Sequence, residues 1–267
     1  LLIANCMILL PKPPKIIKKD ANSSVFEIEA LYPGYGITIA NSLRRVLLSS
    51  LPGAAVTQVK IKGVQHEYST ISGVMEDVIK IVMNLKNLRF KMHTQDPQKL
   101  TLKVKGEKEV KGSDIKIPGQ VELINKTAHI ATLTSKTSEL DMEFQVESGI
   151  GYWPVENRNR QGKLEIGVIP VDAIFSPVKR VNYDIENMRV GDRTDFDKII
   201  FDVTTDGTIT PKEAFFKSAK ILVDHFSLLA GSLEPESAPA KIEPENKEKQ
   251  EKKKKPVSDK TKAAKSK

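Results

Sequence analysis

Cysteine is almost absent from this chain: Cys6 is the single one in 267 residues. That excludes an internal disulfide framework and any zinc site built on paired cysteines, and it fits a reducing compartment. Histidine is scarce as well. His66, His93, His129 and His225 are scattered with no HExxH spacing, so no metal site is expected. Long apolar runs are missing too. The opening LLIANCMILL gives way at once to PKPPK, too short to span a bilayer and without the basic start of a secretory signal. Asn5 precedes Cys6 where a lipoprotein signal carries a small residue, and Met7 is a candidate initiator. The expectation is a cytosolic protein with no membrane partner.

Nucleotide and catalytic motifs are also lacking. GYGITIA (34–40) misses GxGxxG because Ile39 occupies the last glycine position, and no acidic residue ends a second strand at the right distance; it reads as a turn. GEKEVKG (106–112) copies only the glycine spacing of a phosphate loop. His66 and Glu67 are adjacent, and neighbours on a strand point to opposite faces, so a loop or core role is favoured over an acid–base pair. No nucleophile, base and orienting group can be assembled. No cofactor is expected, and the chain reads as a binding or assembly protein.

What is present is enough length for two domains and a net charge of +8 that is unevenly spread. Residues 247–267 hold ten lysines against Glu248, Glu251 and Asp259, leaving the body almost neutral. SSVFEIEALY (23–32) reads as a strand, PGYG (33–36) as a turn into a helix that LPG (51–53) stops, and VTQVKIKG (56–63) as a half-buried strand. A second helix is expected from Gly73 to about Leu88, capped by Ser72, with Val74, Val78, Ile81, Val82 and Leu85 as its apolar stripe. Residues 99–170 alternate in short segments, a mostly β region. KIIFDVTTDGTIT reads as a strand ending in a hairpin signal at Asp206-Gly207.

Two helices carry the functional signal. In the first, Ile39, Ala40, Leu43, Val46, Leu47 and Leu51 share one face, while Leu48 falls beside Arg45 on the wet side. Periodicity leaves open whether Leu48 is a stray apolar residue or part of a partner surface. The last helix starts at a capping box, Thr210-Pro211 with Glu213, and is expected to stop at Gly231. Phe215, Ala219, Leu222, Phe226 and Leu229 form one stripe, Phe216, Val223 and Ala230 a second, and Ala214, Ile221 and Leu228 a third. A helix apolar over most of its circumference must be covered on several sides, by its own domain or by a second copy.

The run GYGITIANSLRRVLLSSLPGAAVTQVKIKGVQHEYSTISGVMEDVIKIVMNLKNL closely resembles the amino-terminal domain of bacterial-type RNA polymerase alpha subunits, also encoded in plastids. So do GIGYWPVENR (149–158), VDAIFSPVKRVNYDIE (171–186) and RTDFDKIIFDVTTDGTITPKEA (193–214), so that the resemblance covers residues 8 to 232 in ordered blocks. It implies an α+β architecture of two domains: an α/β dimerisation domain from 8–52 plus 176–232, an inserted β-rich domain at 53–175, and a disordered lysine-rich tail at 233–267. It implies a homodimer on which the polymerase β and β′ subunits assemble, with omega and sigma in the holoenzyme, and a nucleotidyltransferase role without active-site residues in this chain. By the resemblance, Arg45, Leu48 and Lys86 contact β; Val171, Val178 and Lys179 contact β′; Leu43, Leu47, Phe215, Leu222, Phe226 and Leu229 form the dimer interface. The location implied is the bacterial cytoplasm or plastid stroma. Family members also carry a helical carboxy-terminal domain that contacts upstream DNA. The run from Glu234 to Lys267 is too short for a linker and that domain, so DNA contact is expected only through the assembled enzyme and the lysine-rich tail. The alternative is a stand-alone basic nucleic-acid-binding protein acting through that tail.

Overall fold

The computed structural model describes residues 8–158, 165 and 167–233. The expected tail lies outside them, apart from Leu233. In chain order the elements are β1 (Lys15–Lys19), β2 (Ser23–Leu31), α1 (Tyr35–Ser49), β3 (Pro52–Ile61), α2 (Val78–Lys86), β4 (Phe90–Met92) and β5 (Gln98–Lys105). There follow β6 (Lys108–Lys111), β7 (Val121–Leu123), β8 (His129–Leu133), β9 (Glu139–Ile150), β10 (Tyr152–Trp153) and α3 (Val155–Arg158). The chain continues with β11 (Val168–Pro170), β12 (Ala173–Ile174), β13 (Val178–Val190), β14 (Arg193–Thr205) and α4 (Pro211–Ser232). The architecture is α+β.

Strands from the two ends of the sequence share one antiparallel sheet in the order β1-β2-β14-β13. Alternation drives this pairing. Phe26 and Ile28 of β2 and Ile199, Phe201 and Val203 of β14 point to one face and are buried with Leu43 and Leu47 of α1 and Phe215 of α4. Helices α1 and α4 therefore lie on this face, each contributing one stripe. The middle of the chain builds a second sheet, β5-β9-β3-β4-β7 with β11 added on β3, and β6 pairs with β8. Val78, Ile81 and Leu85 of α2 pack into its core beside Phe90, Leu100, Leu102 and Phe144. The chain thus has two main cores rather than one.

Three local expectations change. The second helix begins at Val78 with Asp77 as its cap, its side chain accepting from the Lys80 amide at 3.0 Å, not at Gly73 with Ser72. Residues before Asp77 are drawn off as a strand-like segment on β8, where Val74 bridges Leu133 and the Met75 amide donates to Thr132 O. Asp206-Gly207 leads from β14 into α4 instead of closing a hairpin, because β14 already has β2 and β13 on its two sides. Gly231 lies inside the last turn of α4, which runs to Ser232 and is capped at Leu233. The Thr210 and Glu213 capping box is present as read.

Candidate functional site

The outer face of α1 is set by how its amino terminus is fastened. Asp197 of β14 is buried, and its Oδ2 accepts from the amides of Gly34 at 3.0 Å and Gly36 at 2.9 Å. Gly34 takes a left-handed φ of 84°, and a Cβ on Gly36 would lie 2.7 Å from that oxygen. The GYG run, expected as a turn, is instead the start of α1 with Gly34 as its cap, and its amides hold an internal carboxylate. Farther along, Tyr183 of β13 donates its hydroxyl to Asn41 Oδ1 at 3.1 Å, and the Arg44 guanidinium lies over the Tyr183 ring at 6.0 Å. At the carboxyl end, Ser176 Oγ donates to Leu48 O at 2.9 Å. These ties hold α1 rigidly on the sheet and turn Arg45 and Leu48 outward, with Leu48 36% exposed.

α4 divides along its length. Its first half is embedded: Ala214 and Ser218 are buried, and Phe215 stacks on Phe26 with ring centroids 4.6 Å apart. Its second half stands clear of the fold, with Phe226 61% and Leu228 74% exposed, and Val223, Leu229 and Leu233 exposed as well. Leu222 is half-buried at the division. The expected set for the dimer interface is corrected accordingly. Leu43, Leu47 and Phe215 are sealed inside their own core, which leaves them no area for a second copy, whereas Phe226 and Leu229 are exposed, as are Phe216, Val223 and Leu228.

A second face lies on the β-rich unit. Lys86, in the last turn of α2, pairs with Asp172 Oδ2 at 3.4 Å, and Asp172 Oδ1 accepts from the Val155 amide at 3.0 Å. A shallow cavity of about 250 Å³ opens here between Lys86, Tyr68, Met83, Val155, Ile169 and Pro170. Beside it Tyr68, Met75, Ile79 and Met83 are exposed. Sequence reading passed over this apolar strip, although the four-residue spacing of Ile79 and Met83 places them on one face of α2; Met75 joins them from the strand-like segment before the helix. Val171 and Val178 are buried, which corrects their reading as contact residues, because both side chains fill internal cores. Lys179 is exposed.

Below this face, Glu76 ties the strand-like segment to β8. Its carboxylate accepts from Thr132 N at 2.7 Å and Thr132 Oγ1 at 3.0 Å, and His129 Nε2 lies 2.9 Å from it. Partial burial pushes the Glu76 pKa up, but the Thr132 amide, His129 and the Thr132 hydroxyl together hold it below the usual carboxylate value. His66, by contrast, sits in a surface loop with Ser69 Oγ 3.2 Å from its Nδ1. Among the described residues no group of His, Cys, Asp and Glu side chains is placed to hold a metal ion, and no helix is long and apolar enough to cross a membrane.

The candidate sites on α1, α4 and α2 are faces rather than clefts. The family model described as the RNA polymerase Rpb3/RpoA insert domain matches residues 59–176. The DNA-directed RNA polymerase subunit alpha of Symbiobacterium thermophilum is 51% identical over 219 residues, covering 82% of this chain and 69% of that protein. The chain belongs to the family of DNA-directed RNA polymerase alpha subunits. The alpha subunit of Oceanobacillus iheyensis is 47% identical over 244 residues, 90% of this chain and 77% of its own, and that of Roseiflexus sp. is 44% identical over 238 residues, with 87% and 72% covered.

Proposed function

We propose that the chain is the homodimeric, non-catalytic scaffold on which the other subunits of a DNA-directed RNA polymerase assemble, in the bacterial cytoplasm or, if plastid-encoded, the stroma. The observation that carries this reading is the exposed second half of α4. Five large apolar side chains on one free helix end (Phe226, Leu228, Leu229, Val223 and Leu233) are costly in water and are matched by a second copy of the same surface, as two-fold symmetry provides. The units at 8–52 plus 176–232 and at 53–175 then act as dimerisation domain and insert. The large subunits take the remaining faces. Arg45 and Leu48 supply β with a charge for orientation beside apolar area, and Lys86 extends that contact across the α2 strip. Lys179 faces β′, with the adjacent Val178 anchored in the core of the first sheet. Omega and sigma join the assembled enzyme.

Reconstitution with β and β′ tests the reading. Arg45→Ala and Leu48→Ala should dimerise like the wild type and lose β association by about 2 kcal/mol if they anchor it. Wild-type chain that remains monomeric at micromolar concentration by light scattering, or that fails to capture either large subunit, would overturn the proposal.

A further inference from the structure

The two units are joined by chain crossings at 51–52 and 176–178, which lie together: Ser176 Oγ donates to Leu48 O, and Gly53 runs so close to Phe175 that a Cβ would strike its carbonyl. A junction of two adjacent crossings is a hinge unless something else braces it. Arg89 and Asp206 supply the brace. Arg89 Nε of the β-rich unit lies 3.7 Å from Asp206 Oδ2 on the turn that precedes α4, and the two side chains are 24% and 6% exposed.

Each partner is itself fixed from behind. The Arg89 Nη1 donates to Lys86 O at 3.0 Å, closing the carboxyl end of α2, and the Arg89 amide donates to Asn125 Oδ1 at 2.8 Å. Asp206 Oδ1 accepts from Thr208 N at 2.9 Å and Thr208 Oγ1 at 2.6 Å, and the Asp206 amide donates to Pro177 O at 3.0 Å. Next to them Gly207 packs on Ile124, where an added Cβ would sit 3.2 Å from Ile124 Cγ2. Water is largely excluded, so the charge attraction is weakly screened, and a carboxylate this buried is poorly tolerated without its cation. One path of polar contacts therefore runs from Lys86 at the end of α2, through Arg89 and Asp206, to Thr208, two residues before the Thr210 cap of α4.

We propose that Arg89 and Asp206 are positioning residues for assembly: their ion pair fixes the angle between the two units and so sets the α2 face in register with the dimer helix. The inference rests on the scaffold reading for its consequence, while the brace itself is a property of the chain alone. The loss of either charge frees the hinge, and a large subunit that bridges the α1 and α2 faces must then reorder it on binding.

Asp206→Asn keeps the Oδ1 acceptor for Thr208 and removes only the charge; Arg89→Gln keeps a donor for Lys86 O. Spin labels at Glu122→Cys and Asn187→Cys, both exposed, in a Cys6→Ser full-length background report the distance between units. Labelled chain diluted into unlabelled chain confines the reading to one copy. The expected result is one narrow distance distribution in the parent, a broadened one in each single variant, and no further broadening in the double. Affinity for the large subunits should fall about 5-fold or more in either variant, with dimerisation unchanged. Unchanged distributions, or broadened ones with wild-type assembly affinity, would overturn the inference. Parent chain that binds no large subunit would instead defeat the scaffold reading, and the distance measurement would still decide whether the brace exists.

Discussion

At the scale of single residues, small geometric demands explain choices that composition leaves arbitrary. Gly36 is required by Asp197: the carboxylate approaches the backbone so closely that a methyl group would lie 2.7 Å from it. Gly36→Ala should therefore cost about 1–3 kcal/mol in urea unfolding, since the helix must shift or the carboxylate must leave its two amides. Glu76 makes a different kind of tie. Its folded pKa lies below the ordinary glutamate value of 4.5, so its contribution is present above that value and is lost as pH falls through the folded one. Glu76→Ala should destabilise the chain at neutral pH by about 1–3 kcal/mol, stranding the Thr132 amide and hydroxyl. The gap from wild type should close under acid conditions, and a gap that stays constant with pH in denaturant titrations would refute this account.

At the scale of elements, α4 is the case where two opposite fates share one helix. Its amino-terminal half was legible, because a capping box and N1 proline fix the start whatever surrounds them; Thr210→Ala should cost about 1 kcal/mol by thermal unfolding. Its apolar circumference was legible too, but not which stripe belongs to which partner. Angular position separates the first half, where Phe215 is inside and Phe216 out, but the second half is exposed on every side, Phe226, Leu228 and Leu229 alike, which periodicity does not show. Phe226→Glu should thus leave the fold intact and shift the dimer toward monomer in light scattering. Phe215→Ala should lose the stack on Phe26 and destabilise the chain itself by about 3–5 kcal/mol. α2 shows the converse. Val78, Ile81 and Leu85 kept their predicted stripe, yet the helix starts late because β8 takes the preceding residues.

At the scale of the whole molecule, the net positive charge is concentrated at one end of the sequence. The ten lysines of residues 247–267, set against three acidic residues, suit loose contact with phosphates that reads no sequence. A chain truncated after Leu233 should dimerise and assemble as the full chain does. The assembled enzyme should then bind DNA more weakly at low salt, with a flatter slope of log affinity against log salt. Equal slopes from the two enzymes would remove the tail from any role in DNA contact.

The sequence by itself determined what depends on neighbours along the chain: the alternation of β2, β3 and β14, the core stripes of α1 and α2, the α4 cap, and the outward placing of Arg45 and Leu48. It also carried the resemblance that the relatives bear out. Only the tertiary structure decided what depends on distant segments meeting. That Val171 and Val178 are filled in, that Asp206-Gly207 turns into a helix, that Asp197 holds GYG, and that Arg89 reaches Asp206 all follow from segments far apart in sequence packing together. Local periodicity fixes which way a side chain points relative to its own backbone, and it holds no information about what another part of the chain brings to that side.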